Sequence, residues 1–126
     1  MKTIKKTYKI QATIENVWKA LIDPEIIDEW GGGPSEMSSE IGFQFKLWGG
    51  DIYGENIEVV PHKKLVQEWI SGDWPKPSLV TFTLKSHDNE TILDLEHVYI
   101  PDEDISDIDQ GWDDYYLGPM KEMLEK

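Results

Sequence analysis

The chain has 126 residues, contains no cysteine and carries a formal net charge of −13 at pH 7. This length predicts one domain over residues 1–126, and the lack of cysteine excludes disulfides, thiolate nucleophiles and cysteine metal sites. So acidic a chain would repel nucleic acid and anionic membranes, and no apolar run resembles a signal or membrane-spanning segment, so we expect a cytoplasmic protein.

The first part of the chain predicts one strand followed by two short helices. Residues 3–11 alternate weakly between polar and apolar positions, which indicates a strand with one side toward a core. Thr13 has the character of a helix N-cap before an apolar stripe over 14–22. Asp23 and Pro24 then predict a second short helix, with the aspartate as its cap and the proline at the first helical position.

Strands dominate the middle of the chain. After a loop of glycine and proline at 31–34, stretches of alternating apolar residues are separated by turn sequences rich in Gly, Asp, Asn and Pro. We predict strands at 43–47, 52–60, 65–70, 79–85 and 91–100. Because the connections are short, consecutive strands are expected to pair as an antiparallel meander.

The last stretch, 106–126, has apolar residues at helical spacing and predicts a long helix that lies across the sheet. Ser106 followed by Asp109 resembles a capping box and predicts where the helix begins. Gly118 and Pro119 predict a kink or a short break, because proline removes one backbone donor and its ring clashes with the preceding turn. The predicted sheet-facing residues are Trp112, Tyr115, Tyr116, Pro119, Met120, Met123 and Leu124. The predicted water-facing residues are Asp113, Asp114, Lys121, Glu122 and Glu125.

No set of residues predicts a catalytic site, a metal site or a cofactor. No nucleophile elbow surrounds any serine or threonine, and the three histidines are widely separated. His62 and His87 fall in predicted turns, whereas His97 shares a strand face with apolar residues. His97 is interpreted either as a core residue satisfied by its neighbours or as a group that orients a ligand. Glu55 and Glu68 would form an inward pair of carboxylates in one strand register and face outward in the register shifted by one residue.

The six tryptophans are many for this length and suit a core or a ligand pocket equally. Trp48 and Trp74 fall in predicted loops, where they would guard the mouth of a pocket or present a patch to a partner. The predicted cavity residues are Trp30, Trp69, His97, Trp112, Tyr115, Tyr116 and Met120.

Several segments together resemble a known family. The sequence Ile-Glu-Asn-Val-Trp-Lys-Ala-Leu at 14–21, with Asp23, Pro24 and Trp30, resembles the entry signature of START-like (SRPBCC), helix-grip proteins. Further segments, in their order and spacing, are similar to the C-terminal domain family of the heat-shock protein 90 ATPase activator (Aha-type, AHSA-like). These segments are Gly-Gly-Asp-Ile-Tyr-Gly-Glu at 49–55, Leu-Val-Gln-Glu-Trp at 65–69, Leu-Asp-Leu-Glu-His at 93–97 and Gly-Trp-Asp-Asp-Tyr-Tyr at 111–116.

The resemblance implies an α+β helix-grip fold of the START-like, Bet v-like kind. In such a fold, a curved antiparallel sheet of about six to seven strands wraps a long C-terminal helix, and two short helices follow the first strand. It also implies a cavity between sheet and helix, which receives apolar ligands in relatives. The eukaryotic co-chaperones carry a further N-terminal chaperone-binding domain, for which we expect no room in this chain.

Three functions fit these observations. The first is non-enzymatic binding of a small hydrophobic or aromatic ligand in the cavity, with His97 and Tyr115 or Tyr116 as its few polar groups. The second is a chaperone-associated interaction domain that uses the acidic residues between Asp102 and Asp114. The third is an enzyme that uses the same cavity, although no nucleophile, cofactor motif or metal set supports it. A monomer and a homodimer fit equally.

Overall fold

The computed structural model describes residues 1–126. One helical segment runs continuously from Ile105 to Leu124 and is called the C-terminal helix below. No helix has the length and apolar character needed to cross a membrane. The elements in chain order are β1 Lys2–Ile10, α1 Ile14–Ile22, α2 Pro24–Trp30, β2 Gln44–Leu47, a 3-10 turn Trp48–Gly50, β3 Ile52–Val60, β4 Lys64–Ser71, β5 Ser78–His87, β6 Glu90–Ile100, a 3-10 turn Asp102–Asp104, α3 Ile105–Gly111, a π turn Trp112–Tyr116 and α4 Leu117–Leu124.

The six strands form one antiparallel sheet in the order β1-β6-β5-β4-β3-β2. Strands β2 to β6 make the predicted meander, in which each strand pairs with the next. Strand β1 joins the other edge by pairing with β6, where Tyr8 lies opposite Leu93. The α+β helix-grip fold predicted from the sequence is confirmed, with six strands.

Both short helices begin where the sequence predicts. Oγ1 of Thr13 accepts a hydrogen bond from the backbone N–H of Asn16 at 3.3 Å, and the carboxylate of Asp23 accepts one from that of Glu25 at 3.0 Å. Pro24 is the first residue of α2, where its missing N–H leaves no helical bond unmade. Local capping chemistry therefore decides where these helices start.

The C-terminal helix begins one residue before Ser106, so the predicted capping box of Ser106 and Asp109 is wrong. The turn Asp102–Asp104 leads directly into the helix, and no side chain caps its first turn. The carboxylate of Asp104 instead accepts a hydrogen bond from the indole N–H of Trp74 at 2.8 Å. The helix therefore begins as a continuation of the preceding 3-10 turn, without a capping side chain.

The distortion that the sequence predicts at Gly118 and Pro119 lies one turn earlier. Pro119 has no N–H to bond to the carbonyl of Tyr115, and its ring crowds that carbonyl, so the turn before it widens. The backbone N–H of Leu117 bonds to the carbonyl of Trp112, five residues back, which makes a π turn. The helix then continues through Pro119 without a break.

The π turn inserts one extra residue and rotates the buried face of the helix. Trp112 and Tyr116, the first and last residues of the π turn, are buried, and so are Leu117 and Met120, which follow it. Met123 is half-buried against the core. Trp112, Tyr116 and Met120 thus face the sheet, as predicted. Four of the predicted water-facing residues are exposed, namely Asp113, Asp114, Glu122 and Glu125.

Polar contacts tie the C-terminal helix to β1. The carboxylate of Asp113 accepts hydrogen bonds from Nζ of Lys6 at 2.9 Å and from the hydroxyl of Tyr8. The bond from Tyr8 is the main cause that lowers the pKa of Asp113. Farther along, Nζ of Lys121 donates to the carbonyl oxygen of Lys9 at 2.8 Å. The helix is therefore held against the first strand at two separate points.

Candidate functional site

Aromatic side chains fill the space between the sheet and the middle of the C-terminal helix. The ring centroid of Tyr116 lies 4.5 Å from that of Trp30, 4.8 Å from that of Trp112 and 5.7 Å from that of Phe82. Trp69 stacks on Trp112 at 4.8 Å. All five side chains are buried. The space between sheet and helix is therefore filled around Trp112 and Tyr116 by the chain's own side chains.

An open groove of about 300 Å³ remains at one end of these packed rings, beside the first half of the C-terminal helix. Its lining is almost entirely apolar, and we call it the aromatic groove. Its lining residues are Trp48, Ile52, Trp69, Asp107, Ile108, Gly111, Trp112, Tyr115 and Tyr116.

Helical spacing brings most of the lining together, because residues four apart lie above one another on a helix. Trp48 forms the opposite wall from the 3-10 turn after β2. Its indole N–H donates to the carbonyl oxygen of Gly31 at 2.9 Å, and its backbone N–H donates to that of Gly32 at 2.8 Å. Both walls are thus fixed by ordinary secondary structure. The two helical rows in the groove are Asp107, Gly111, Tyr115 and Ile108, Trp112, Tyr116.

A buried chain of hydrogen bonds holds Trp112 in the floor of the groove. Its indole N–H donates to Nδ1 of His97 at 3.0 Å, so that nitrogen carries no proton. Nε2 of His97 therefore donates to Oγ of Ser78 at 2.7 Å, and the Ser78 hydroxyl donates to the carbonyl oxygen of Trp69 at 2.9 Å. Burial lowers the pKa of His97 to about 3, so the ring is neutral. Of the two interpretations of His97, the structure supports the satisfied core residue.

A second buried chain holds Trp69. Its indole N–H donates to Oε1 of Gln67 at 2.9 Å, and Nε2 of Gln67 donates to Oδ1 of Asn56 at 3.0 Å. The amide of Asn56 then donates to the carbonyl oxygens of Ser38 at 2.9 Å and Glu40 at 3.1 Å. The N–H groups of both stacked indoles are therefore bonded inside the protein, and the groove meets only their ring surfaces.

Tyr116 is the polar group of the groove whose bonding is incomplete. Its side chain is 1% exposed, and its hydroxyl has no hydrogen-bond partner. Burial raises the pKa of this phenol, which therefore stays protonated. The protein interior beside the groove thus contains one neutral hydroxyl whose donor and acceptor capacity are both unused.

The structure divides the predicted cavity residues into two groups. Trp69, Trp112, Tyr115 and Tyr116 line the aromatic groove. Tyr115 is 66% exposed and forms the rim, because the π turn rotates it away from the sheet. Trp30, His97 and Met120 were expected to line the cavity and do not. All three are buried instead, because neighbouring side chains pack against them, and none is among the residues of the groove lining.

The remaining polar candidates lie away from the groove. Glu55 and Glu68 are direct partners across β3 and β4, and both are half-buried. They point to the face opposite the core, because Gln67 and Trp69 on either side of Glu68 point inward. Of the two registers that the sequence allows, the structure has the one in which this pair faces outward. No group of three or more histidine, aspartate or glutamate side chains comes close enough to hold a metal ion.

Sequence reasoning missed several lining residues. Asp107, Ile108 and Gly111 belong to the same helical rows as Trp112 and Tyr115, so their spacing could have identified them. Ile52 could not have been singled out, because an apolar residue at the start of a strand is common. Trp48 is predicted either to guard the mouth of a pocket or to present a patch to a partner, and it lies in the groove wall.

Residues 11–125 match the family described as activator of Hsp90 ATPase homolog 1-like protein. The human activator of 90 kDa heat shock protein ATPase homolog 1 is 28% identical over 122 residues, which are 95% of this chain and 36% of the human protein. The Hsp90 co-chaperone of Saccharomyces cerevisiae is 25% identical over 116 residues. The chain thus spans about a third of the length of these curated relatives.

Solved structures agree with this match. An HSP90 activator from Plasmodium falciparum has a TM-score of 0.90 and 26% identity, and the alignment covers 97% of this chain and 95% of that one. The Aha1 dimer from Colwellia psychrerythraea has a TM-score of 0.85 at 20% identity, with 99% and 97% covered, and this likeness concerns the fold alone. The chain therefore belongs to the family of activator of Hsp90 ATPase homolog 1-like proteins, within the START-like superfamily.

Proposed function

We propose that the protein binds a small, neutral ligand of apolar or aromatic character in the aromatic groove. The observation that carries this proposal is the floor of the groove, where Trp69 and Trp112 present ring surface while their N–H groups are bonded inward. A concave apolar surface that stays open in a folded protein is typical of a ligand site. A volume of about 300 Å³ lies at the lower end of the range for such sites.

Charge favours a neutral ligand over an anion. Asp107 is exposed at the rim of the groove, and no lysine or arginine lines it. The chain as a whole carries −13, so an anion would be repelled both at long range and at the mouth. A neutral ring system avoids both repulsions and gains contact with the indole surfaces.

The polar groups of the groove favour binding over catalysis. Its ionisable side chains are Asp107, Tyr115 and Tyr116. None of them forms a nucleophile and base pair with another, because no hydrogen bond joins the three and the hydroxyl of Tyr116 has no partner. An enzyme using this site would need a reacting pair that these residues do not provide.

Filling the groove with a side chain tests the proposal directly. Gly111 has ordinary helical backbone angles, and a Cβ there would meet only the ring of Tyr115 at 3.8 Å. The variant Gly111→Leu should therefore fold, with a helix at least as stable as before, while its side chain occupies the groove. We expect isopropenylnaphthalene to raise the melting temperature of the wild-type protein and to bind in calorimetry, and we expect Gly111→Leu to lose both effects.

The matched control is Gln110→Leu, which adds the same side chain to an exposed position one residue away. It should bind the probe as the wild type does. Absence of binding to the wild-type protein, or equal binding to Gly111→Leu, would contradict the proposal.

A second candidate function is contact with a heat-shock protein 90 chaperone. Its support is the family match together with a concentrated acidic surface, and several relatives carry the description of Hsp90 activators. Rim charges of this kind mainly set the rate of encounter with a basic partner surface. We call this surface the acidic segment, and its residues are Asp102, Glu103, Asp104, Asp107, Asp109, Asp113 and Asp114.

Neutralising exposed charge tests this second function. Glu103→Gln combined with Asp114→Asn should slow association with the chaperone and reduce any stimulation of its ATPase, and raising salt should weaken wild-type binding steeply. Glu15→Gln with Glu29→Gln makes the same charge change on the exposed side of α1 and α2 and should have no effect. Salt-insensitive binding, or an equal loss in both double variants, would argue against a contact through the acidic segment.

A further inference from the structure

The rim of the aromatic groove carries a carboxylate, a gap and an exposed ring in one helical row. Asp107, Gly111 and Tyr115 follow one another at four-residue intervals along the C-terminal helix, and all three line the groove. Gly111 leaves the middle of the row open, because a Cβ there would meet only the ring of Tyr115, at 3.8 Å. Asp107 and Tyr115 are exposed at the two ends of the row. A ligand that reaches the rim over Gly111 therefore passes beside the carboxylate.

The carboxylate of Asp107 is free to receive a ligand, whereas most other acids of the acidic segment have a partner within the protein. The partnered carboxylates are those of Asp102 with the N-terminal amino group, Asp104 with Trp74, Asp109 with Lys6, Asp113 with Lys6 and Tyr8, and Asp114 with Gln110. Of the two without a partner, Glu103 and Asp107, only Asp107 lines the aromatic groove. Asp107 is therefore the uncommitted acid that a molecule in the groove would meet.

Asp107 also discriminates between hydrogen-bonding groups. The indole N–H groups of the lining are bonded inside the protein, and the side chain of Tyr116 is only 1% exposed, so the accessible polar side chains are Asp107 and Tyr115. The phenol of Tyr115 can donate or accept, whereas a carboxylate only accepts. A ligand that covers Asp107 without offering it a donor removes part of its hydration and returns nothing.

We propose that Asp107 is the specificity-determining residue of the aromatic groove and accepts a hydrogen bond from a hydroxyl or N–H group at the solvent-facing end of an aromatic ligand. This inference rests on the proposed ligand-binding function and names the chemical class of the ligand. The body of the ligand is apolar, since the groove floor offers ring surface. A carbonyl or ether oxygen at the same end is disfavoured, because two acceptors would then face each other.

Two probes of similar shape isolate the hydrogen bond. Naphthol and methylnaphthalene, substituted at the same ring position, differ in a hydroxyl that replaces a methyl group. Calorimetry on the full chain measures both probes against the wild type and against Asp107→Ala. We expect Asp107→Ala to weaken naphthol about fivefold and to leave methylnaphthalene unchanged within about twofold, a modest difference because the bond is exposed to water. Comparing the two probes in both proteins cancels the intrinsic difference in their hydrophobicity.

The matched control is Glu103→Ala, which removes the same charge from the other unpartnered acid, four residues earlier and outside the groove lining. It should change the affinity of neither probe. Asp107 also lies in the first turn of α3, where a negative charge stabilises a helix. A purely structural role of this kind would weaken both probes alike, so the ratio of the two affinities distinguishes it from a hydrogen bond to the ligand.

The outcomes separate the two proposals. If methylnaphthalene binds the wild type and Asp107→Ala weakens both probes equally or neither, the role of Asp107 is overturned and the proposed function stands. If Glu103→Ala weakens naphthol as much as Asp107→Ala does, the effect is one of net charge and the inference is overturned as well. If neither probe binds the wild type, the proposed function fails and this inference fails with it.

Discussion

The indole N–H of Trp112, on the C-terminal helix, donates to Nδ1 of His97, on β6, at a distance of 3.0 Å. This one bond fixes the tautomer of the histidine, because a nitrogen that accepts cannot also carry a proton. A second proton on the ring would place two donors face to face. The packing of the helix on the sheet is therefore coupled to the neutral state of His97.

This coupling predicts that the protein loses stability in mild acid. His97 has a pKa of about 3 in the folded protein, against an ordinary value of 6.5, so below pH 6.5 the unfolded chain binds a proton that the folded chain does not. The free energy of unfolding should therefore fall as pH decreases, by about 1.4 kcal/mol per unit, or roughly 2 kcal/mol between pH 6.5 and about 5. Urea unfolding at several pH values measures this slope.

The control for this slope is His97→Gln, which is less stable at neutral pH but has no group to titrate at that position. Its stability should change little over the same range, because Asp113, the helix carboxylate with a lowered pKa, loses its contribution only near and below its ordinary value of 3.8. A flat wild-type curve, or the same slope in both proteins, would show that protonation of His97 is not the cause.

Gly118 is predicted to be the least replaceable glycine of the C-terminal helix. A Cβ at this position would lie 2.0 Å from the carbonyl oxygen of Asp113, because the π turn brings that carbonyl against the glycine. Gly118→Ala should therefore lower the free energy of unfolding by about 1 to 3 kcal/mol. Gly111→Ala has room in the same helix and should be neutral or stabilising by up to about 1 kcal/mol. Equal effects of the two changes would be inconsistent with the π turn.

Gln67 is predicted to be important for stability although it is polar. Gln67→Met preserves the approximate volume but leaves the indole N–H of Trp69 and Oδ1 of Asn56 without partners in the core. We expect a loss of about 2 to 4 kcal/mol, since two buried groups become unsatisfied. Glu68→Met changes the neighbouring residue on the opposite face and should cost less than about 0.5 kcal/mol. Chemical denaturation measures the stability of both variants. Similar losses would mean that the buried hydrogen bonds of Gln67 are unimportant for stability.

Asp113 is predicted to hold the helix to β1. Asp113→Asn removes the charge that accepts bonds from Lys6 and Tyr8, and a loss of about 1 kcal/mol is expected because the carboxylate is 47% exposed. Asp114→Asn removes a charge from the next residue, whose bond to Gln110 stays within the helix, and should have a smaller effect. Thermal unfolding at low ionic strength distinguishes them, and the reverse order would refute this role for Asp113.

The elements of the fold could be predicted because each carries its own local signal. The cap at Thr13, the Asp23 and Pro24 pair and the alternation along the strands act over a few residues. The burial of Trp112 and Met120 followed from helical spacing alone. The start of the last helix could not be predicted in this way, because the preceding turn, and not a capping side chain, leads into it.

The candidate site was harder to predict because it depends on how side chains share a fixed space. The sequence placed His97 on the inner face, but not which partners would satisfy it. The π turn moved Tyr115 to the surface, and its position depends on where the strain from Pro119 is absorbed. The groove exists only because Trp48, from a distant turn, stands opposite the helix. Contacts between elements so distant in the chain leave no local pattern in the sequence.

Strand β1 is far in sequence from the residues of the C-terminal helix that bond to it. Tyr8 lies 105 positions before Asp113, and the backbone N–H of Gln11 bonds to a glutamate carboxylate 114 positions later. Its strand partner β6 is also distant, since Tyr8 pairs with Leu93, and contacts so distant in sequence form slowly. We expect the hairpins of β2 to β6 to form first, β1 to pair with β6 once that strand is in place, and the C-terminal helix to pack last.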